Sequence, residues 1–211
     1  MPATFASLIQ GAPRLVPVLH VENPDHAEPL LAALTAAGIR AIEVTLRSAR
    51  ALEVIARMSR AGSPAVIGAG TLTRPEHFAQ VKEAGARFAV SPALTPALAE
   101  AAGAAQMPFL PGVATPSEAL RAREYGFNEL KFFPADLFGG VGFLKHVAPL
   151  FPELRFCPTG GVSDGNVKDY LSQPNCIAAG GGYLATRPLI EAAKWDEIAR
   201  NAARSVEAAR L

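Results

Sequence analysis

The chain has 211 residues, 50% of them hydrophobic and 18% charged, so a single domain spanning 1–211 can bury a sizeable core without disulfides or metals. A formal net charge of +1 gives no footing for nucleic acid or an anionic membrane as partner and leaves small molecules. Cys157 and Cys176 lie in apolar segments without CxxC spacing, no basic leader opens the chain, and no apolar run reaches membrane length, a pattern that predicts a reduced, cytoplasmic protein.

A short helix is predicted over 5–10. From there to the end, apolar strand-like runs alternate with Ala/Leu-rich helical stretches. The strands are predicted at 15–20, 41–45, 65–69, 88–91, 109–111, 129–133, 155–158 and 176–179. The helices are predicted at 25–37, 49–59, 75–83, 96–102, 116–124, 142–150, 164–171 and 188–210, several opening on Pro or an Asx/Ser residue as first-turn chemistry prefers. The 18 glycines and 18 prolines fall at unit boundaries, as punctuation and not as a linker. Eight strand and helix pairs in this length predict an α/β protein, a single (β/α)8 TIM barrel with a short N-terminal helix. An open doubly wound sheet is the structural alternative, disfavoured because no GxGxxG follows the first strand.

In such a barrel the site lies at the C-terminal strand ends, where this chain collects its polar residues. His20 ends the first strand, where it could line the pocket; a solvated or structurally bonded imidazole is its expected state. In Ile42-Glu43-Val44-Thr45-Leu46-Arg47, alternation turns Ile42 and Val44 outward and Glu43 and Thr45 into the lumen. A lone inward glutamate is costly unless it is paired or moves protons. Arg47, just beyond, carries a fork suited to a carboxylate. Gly68-Ala69-Gly70-Thr71 lets backbone approach a ligand and ends on a hydroxyl.

In Asn128-Glu129-Leu130-Lys131-Phe132-Phe133-Pro134, Leu130 and Phe132 go one way and Glu129, Lys131 and Phe133 the other. If the apolar pair faces the helices, Lys131 points inward. A partly desolvated amine is more readily neutral and can attack a carbonyl to form a Schiff base. Two structural alternatives stand beside this: a lysine that snorkels to water or neutralises Glu129, and a buried ion pair with Glu43. Glycine-rich turns at Thr159-Gly160-Gly161 and Gly180-Gly181-Gly182, after strands seven and eight, predict a phosphate site built from backbone N–H groups near a helix start. The four histidines show no metal-ligand spacing, so neither metal nor other cofactor is expected.

With Glu43-Val44-Thr45-Leu46-Arg47, Gly68-Ala69-Gly70-Thr71, Lys131-Phe132-Phe133-Pro134-Ala135 and Phe156-Cys157-Pro158-Thr159-Gly160-Gly161 in this order, the chain closely resembles the bacterial 2-keto-3-deoxy-6-phosphogluconate aldolases over nearly its whole length. The resemblance implies a class I aldolase on a (β/α)8 barrel, usually a homotrimer, that splits this phosphorylated keto acid into pyruvate and glyceraldehyde 3-phosphate and often cleaves 4-hydroxy-2-oxoglutarate. Carried over, Lys131 is the Schiff-base lysine and Glu43 the general acid/base. Arg47 and Thr71 hold the pyruvyl carboxylate, Thr159, Gly160, Gly161, Gly181 and Gly182 meet the phosphate, and Pro92 and Phe133 line the pocket. Two departures bear on this: Gly182 stands where the family commonly has serine, and Ala93 where Ser-Pro-Gly is usual. Rivals are a sister aldolase for the galactonate-derived epimer, a phosphate-binding isomerase or synthase, and a silent sugar-phosphate binder.

Overall fold

The computed structural model describes residues 4–210; residues 1–3, part of the segment read above for a leader, and residue 211 lie outside the described residues. Its strands are β1 (Leu15–Leu19), β2 (Ala41–Thr45), β3 (Val66–Gly70), β4 (Phe88–Val90), β5 (Phe109–Leu110), β6 (Gly112–Val113), β7 (Glu129–Phe132), β8 (Arg155–Pro158) and β9 (Ala179–Gly181). The helices are α1 (Phe5–Leu8), α2 (Ala27–Ala36), α3 (Ala51–Arg60), α4 (Glu76–Glu83), α5 (Pro96–Ala105), α6 (Pro116–Glu124), α7 (Gly140–Val147), α8 (Val167–Leu171), α9 (Arg187–Glu191) and α10 (Trp195–Ala208).

The strands form a parallel α/β architecture, six in the order β5-β4-β3-β2-β1-β9 and three in the order β6-β7-β8. Isolated parallel bridges, Phe156 to Cys176 and Thr159 to Gly180, link β8 to the approach and body of β9. Local chemistry fixes the helix starts. Thr95 and Thr115 each precede a proline at the first helical position, and their hydroxyls accept from the N–H groups of Leu98 and Glu118. Glu118 completes a capping box at α6, which begins and ends as predicted.

Several boundaries differ from the sequence expectation. The fifth strand is two short pieces because Pro111, which has no N–H, interrupts the ladder while its carbonyl accepts from Lys131 N–H at 2.9 Å. The last strand begins three residues later than expected, at Ala179: Cys176 N–H closes a turn onto Gln173, and the ladder to β1 runs through Ala179, Gly180 and Gly181. The expected closing helix is split into α9 and α10, with Ala193 in the left-handed region at φ 50° between them. The expected helix at 164–171 begins only at Val167, because Asn166 caps the preceding turn, its side chain bonded to Ser163 N–H and Gly161 carbonyl.

Alternation then divides the core. Leu15, Leu19, Ile42, Val44, Ile67, Leu130, Phe132 and Phe156 pack into the cluster shared with the helices, while Val16, Ala41, Phe88, Val90, Leu110, Cys157 and Ala178 face inward. The inner cluster is closed by α1, whose fully buried Phe5 meets the Phe88 ring edge-on at 5.0 Å. The carboxylate of Glu129 holds α1 in place, accepting from Phe5 N–H at 2.6 Å and Ala6 N–H at 3.1 Å. Glu129 therefore serves the helix, not Lys131, which removes one of the structural alternatives for that lysine.

Candidate active site

Lys131 lies in the middle of β7, flanked in register by Gly112 of β6 and Cys157 of β8. With Leu130 and Phe132 fully buried on the helix side, its side chain points inward as alternation requires. It is 6% exposed, and its Nζ stands 3.5 Å from Glu43 Oε1 and 5.1 Å from the centre of the Phe133 ring. Glu43, 2% exposed, reaches the same space from β2. Its Oε1 has no hydrogen bond despite its burial. Breaking such a pair typically costs about 3 to 5 kcal/mol, because the remaining charge is stranded. An incompletely satisfied carboxylate beside an amine is poor stabilisation but a usable proton relay, since its lone pairs are not committed. Gly70 of β3 makes room for it: a Cβ there would sit 1.9 Å from Glu43 Oε1.

Arg47 and Thr71 cap the adjacent strands β2 and β3. Thr45, buried on the inner face, donates to Leu19 carbonyl at 2.8 Å and accepts from Arg47 Nε at 3.0 Å, tethering the exposed guanidinium over the strand end. Thr71 has φ 64°, a left-handed conformation that is costly for a β-branched residue and that functional sites are known to impose. Pro92 and Phe133 are both half-buried at the rim. The backbone of Pro92 approaches Gly112 so closely that a Cβ at Gly112 would meet Pro92 carbonyl oxygen at 2.2 Å. Ala93 has no positive φ, so a glycine is not required at this departure from the family pattern.

The two glycine turns meet through the Thr159 to Gly180 bridge. Gly160 and Gly161 take φ of 91° and 78°, and the carbonyls of Thr159 and Gly160 are consumed by the N–H groups of Ala135 and Asp136. Gly160 N–H is turned toward Gly180 by that bridge, whereas among the described residues Gly161 N–H donates to no protein acceptor, which leaves it free for an anion. The five-residue α8 starts too far along to add much dipole. Asp136 packs against Gly161, a carboxylate that works against a dianion in the same turn. Gly181 is buried and extended beside the Tyr183 ring, whereas Gly182 is exposed, 3.5 Å from Val18 carbonyl at its Cβ position.

His20 takes the structurally bonded state expected of it, held by Glu22 at the end of β1 with its side chain only 13% exposed, while sequence reasoning overlooked Ser91, wholly buried and bonded to Ala93 backbone. Strand parity signals both: His20 shares the face of Val16 and Val18, and Ser91 follows directly on β4. Cys157 faces inward next to Lys131, and burial pushes its thiol well above the ordinary range, as burial does for Cys176, up to about 12. Among the described residues no three His, Cys, Asp or Glu side chains cluster as metal ligands would, and no helix is long and apolar enough to cross a membrane.

A buried primary amine beside an uncommitted carboxylate, on a parallel α/β scaffold with a free backbone donor nearby, defines an enzyme equipped for amine chemistry on a carbonyl compound. Residues 7–201 match the family described as KDPG and KHG aldolase, and the chain belongs to it. It is 42% identical over 208 residues to the KHG/KDPG aldolase of Escherichia coli strain K12, covering 99% of this chain and 98% of that protein. The 2-dehydro-3-deoxy-phosphogluconate aldolase of Pseudoalteromonas atlantica is 44% identical over 195 residues, covering 92% and 91%. The crystal structure of a Legionella pneumophila KDPG aldolase, with pyruvate captured at low pH as a covalent carbinolamine intermediate, superposes with a TM-score of 0.89 at 36% identity, covering 94% of this chain and 96% of that one.

Proposed function

We propose that this protein is a class I aldolase that cleaves 2-keto-3-deoxy-6-phosphogluconate to pyruvate and glyceraldehyde 3-phosphate, and 4-hydroxy-2-oxoglutarate to pyruvate and glyoxylate. The observation that carries this reading is the buried Lys131 Nζ at 3.5 Å from Glu43 Oε1, a carboxylate oxygen with no hydrogen bond of its own. The neutral amine of Lys131 adds to the C2 carbonyl, and Glu43 relays the protons needed to form the carbinolamine and expel water. The resulting protonated imine accepts the electron pair of the C3 to C4 bond as it breaks, while the C4 hydroxyl gives its proton to Glu43 and becomes the aldehyde. Protonation of the enamine at C3 and hydrolysis then release pyruvate and restore Lys131.

Arg47 and Thr71 are assigned to the pyruvyl carboxylate, and Thr159, Gly160, Gly161, Gly181 and Gly182 to the phosphate, with Pro92 and Phe133 lining the pocket. The absent hydroxyl at Gly182 and the carboxylate of Asp136 both narrow the phosphate preference. The strand order supports closure into a single-domain (β/α)8 barrel: Pro111 joins β5 to β6, and the bridges join β8 to β9. The exposed Leu137, Phe138 and Leu150 favour self-association, for which the family resemblance supplies the homotrimer, and the free, buried thiols support a cytoplasmic setting. Pyruvate plus borohydride is expected to modify Lys131, mapped by peptide mass; labelling at Lys82, Lys145, Lys168 or Lys194 instead overturns the assignment.

A further inference from the structure

We infer that His20 contacts the substrate, accepting a hydrogen bond from a hydroxyl on the aldehyde-derived half, and that Glu22 is the positioning residue that fixes its ring for this. The inference rests on the imine-forming aldolase reading above and assigns a residue that this reading leaves without a task.

His20 is placed by register. Leu15, Leu19 and Val21 pack toward the helices, whereas Val16 belongs to the inner cluster and a Val18 methyl lies 3.5 Å from the Cβ position of the inward Gly180. His20 continues that inner row. Val18 pairs with Glu43 and Leu19 with Val44, which sets His20 opposite Thr45, one inward step beyond Glu43. On its other side β1 pairs with β9 up to Pro17 and Gly181, next to the Gly182 turn. The imidazole thus stands between the residues assigned to the pyruvyl carboxylate and those assigned to the phosphate. The stretch of substrate that spans that interval is the carbon chain bearing the C4 and C5 hydroxyls.

Its chemistry selects the same partner. His20 Nε2 is 2.7 Å from Glu22 Oε1, while Nδ1 is buried with no hydrogen bond. The hydrogen bond from His20, aided by Arg187 and Ser48, holds the Glu22 carboxyl below the ordinary carboxylate range, so at neutral pH it can only accept. In the neutral form of the ring the proton lies on Nε2, facing Glu22, and Nδ1 presents a bare lone pair. Buried side-chain polar atoms are ordinarily partnered, and Nδ1 is not. A lone pair repels phosphate and carboxylate oxygens and is matched by a hydroxyl, which can donate. Pyruvate has no hydroxyl, so the contact belongs to the other half of the substrate.

The test uses two reactions of the same full-length enzyme. Exchange of the pyruvate methyl protons in D2O, followed by NMR, needs the imine and proton relay but no aldehyde half; cleavage of 2-keto-3-deoxy-6-phosphogluconate needs everything. His20→Val is expected to lower kcat/KM for cleavage about tenfold, the scale of one lost neutral hydrogen bond, and to leave exchange within about twofold. His20→Asn, whose amide oxygen can stand near the place of Nδ1, should retain more cleavage than His20→Val. Glu22→Gln, still able to accept from Nε2, should retain more than Glu22→Ala. Equal loss of exchange and cleavage in His20→Val would make His20 structural, and unchanged cleavage would remove it from the substrate; either overturns the inference. Wild-type protein that neither exchanges pyruvate protons nor is trapped by borohydride would overturn the aldolase reading itself, and this inference with it.

Discussion

Gly70→Ala isolates the position of one carboxylate from everything else in the protein. A Cβ on Gly70 would lie 1.9 Å from Glu43 Oε1, 2.5 Å from Cδ and 2.7 Å from Cγ. Ordinary non-bonded contact is about 3.5 Å, so the carboxylate must retreat by about 1.5 Å. Gly70 has no positive φ, and the atoms it strikes are the end of a rotatable side chain, so the backbone keeps its course and the fold loses only about 1 to 3 kcal/mol from overpacking. Chemistry loses more. A misplacement of about 1 Å can cost about 100-fold, and removing a positioned proton relay about 10²- to 10⁴-fold. The expected outcome is a kcat for cleavage at least about 100-fold lower, read by coupling pyruvate release to NADH oxidation, with Lys131 still trapped by borohydride though more slowly. Gly68→Ala is the contrast: its Cβ would meet the Phe88 ring at 2.3 Å, a rigid group packed on Phe5, so its cost should appear in the melting temperature before it appears in kcat. Wild-type kcat in a folded Gly70→Ala enzyme would show that the place of Glu43 does not govern turnover.

Removing the anchor of α1 should cost stability and not chemistry: Glu129→Ala strands the N–H groups of Phe5 and Ala6, and with partial solvent access the loss is expected at about 1 to 3 kcal/mol in urea unfolding, an unshifted midpoint counting against the anchor. The thiols give a pH test. Burial raises Cys176 to about 12 and Cys157 further, so neither should react with a disulfide reagent at pH 8 in the native enzyme and both should in guanidinium. Because the folded pKa lies above the unfolded one, this contribution to stability is whole below about pH 9 and is lost as pH rises toward 12. Rapid native labelling at pH 8 would contradict the burial of both.

Lys131 and Glu43 were legible because each sits in a strand whose apolar neighbours leave no choice of face: Leu130 and Phe132 in one, Ile42 and Val44 in the other. Alternation needs only two buried neighbours to orient a third residue, and here it had them. The last strand was not legible for the opposite reason. Gly180 and Gly181 carry no side chain to alternate, so the ladder they form with β1 leaves no periodic trace and reads as a turn. The role of Glu129 depends on α1, whose distance of more than a hundred residues along the chain hides the contact from any local pattern. Likewise Ala192-Ala193-Lys194 looks helical by composition, yet Ala193 at φ 50° breaks the run so that α10 can redirect.

The glycines of the inner face explain why a site exists here at all. Gly68 and Gly70 of β3, Gly112 of β6 and Gly180 of β9 lie on three strands, and a Cβ at each would collide with Phe88, Glu43, Pro92 and Thr159 respectively. Interiors pack to the density of organic crystals, so side chains at these four positions would claim space that their neighbours, Glu43 beside Lys131 among them, now occupy. Each omitted side chain admits a named neighbour instead: an aromatic that seals the inner core over α1, a carboxylate beside an amine, a rim backbone, and the Thr159 hydroxyl. Glycine in a strand is ordinarily a weakness, less ordered in the unfolded chain and unable to pack. These positions are therefore better understood as shaping the inner face than as punctuation, and the stability they forgo is recovered in the helix-facing cluster, where every strand except β4 and β9, which supply only Ala89 and Ala179, contributes branched or aromatic side chains.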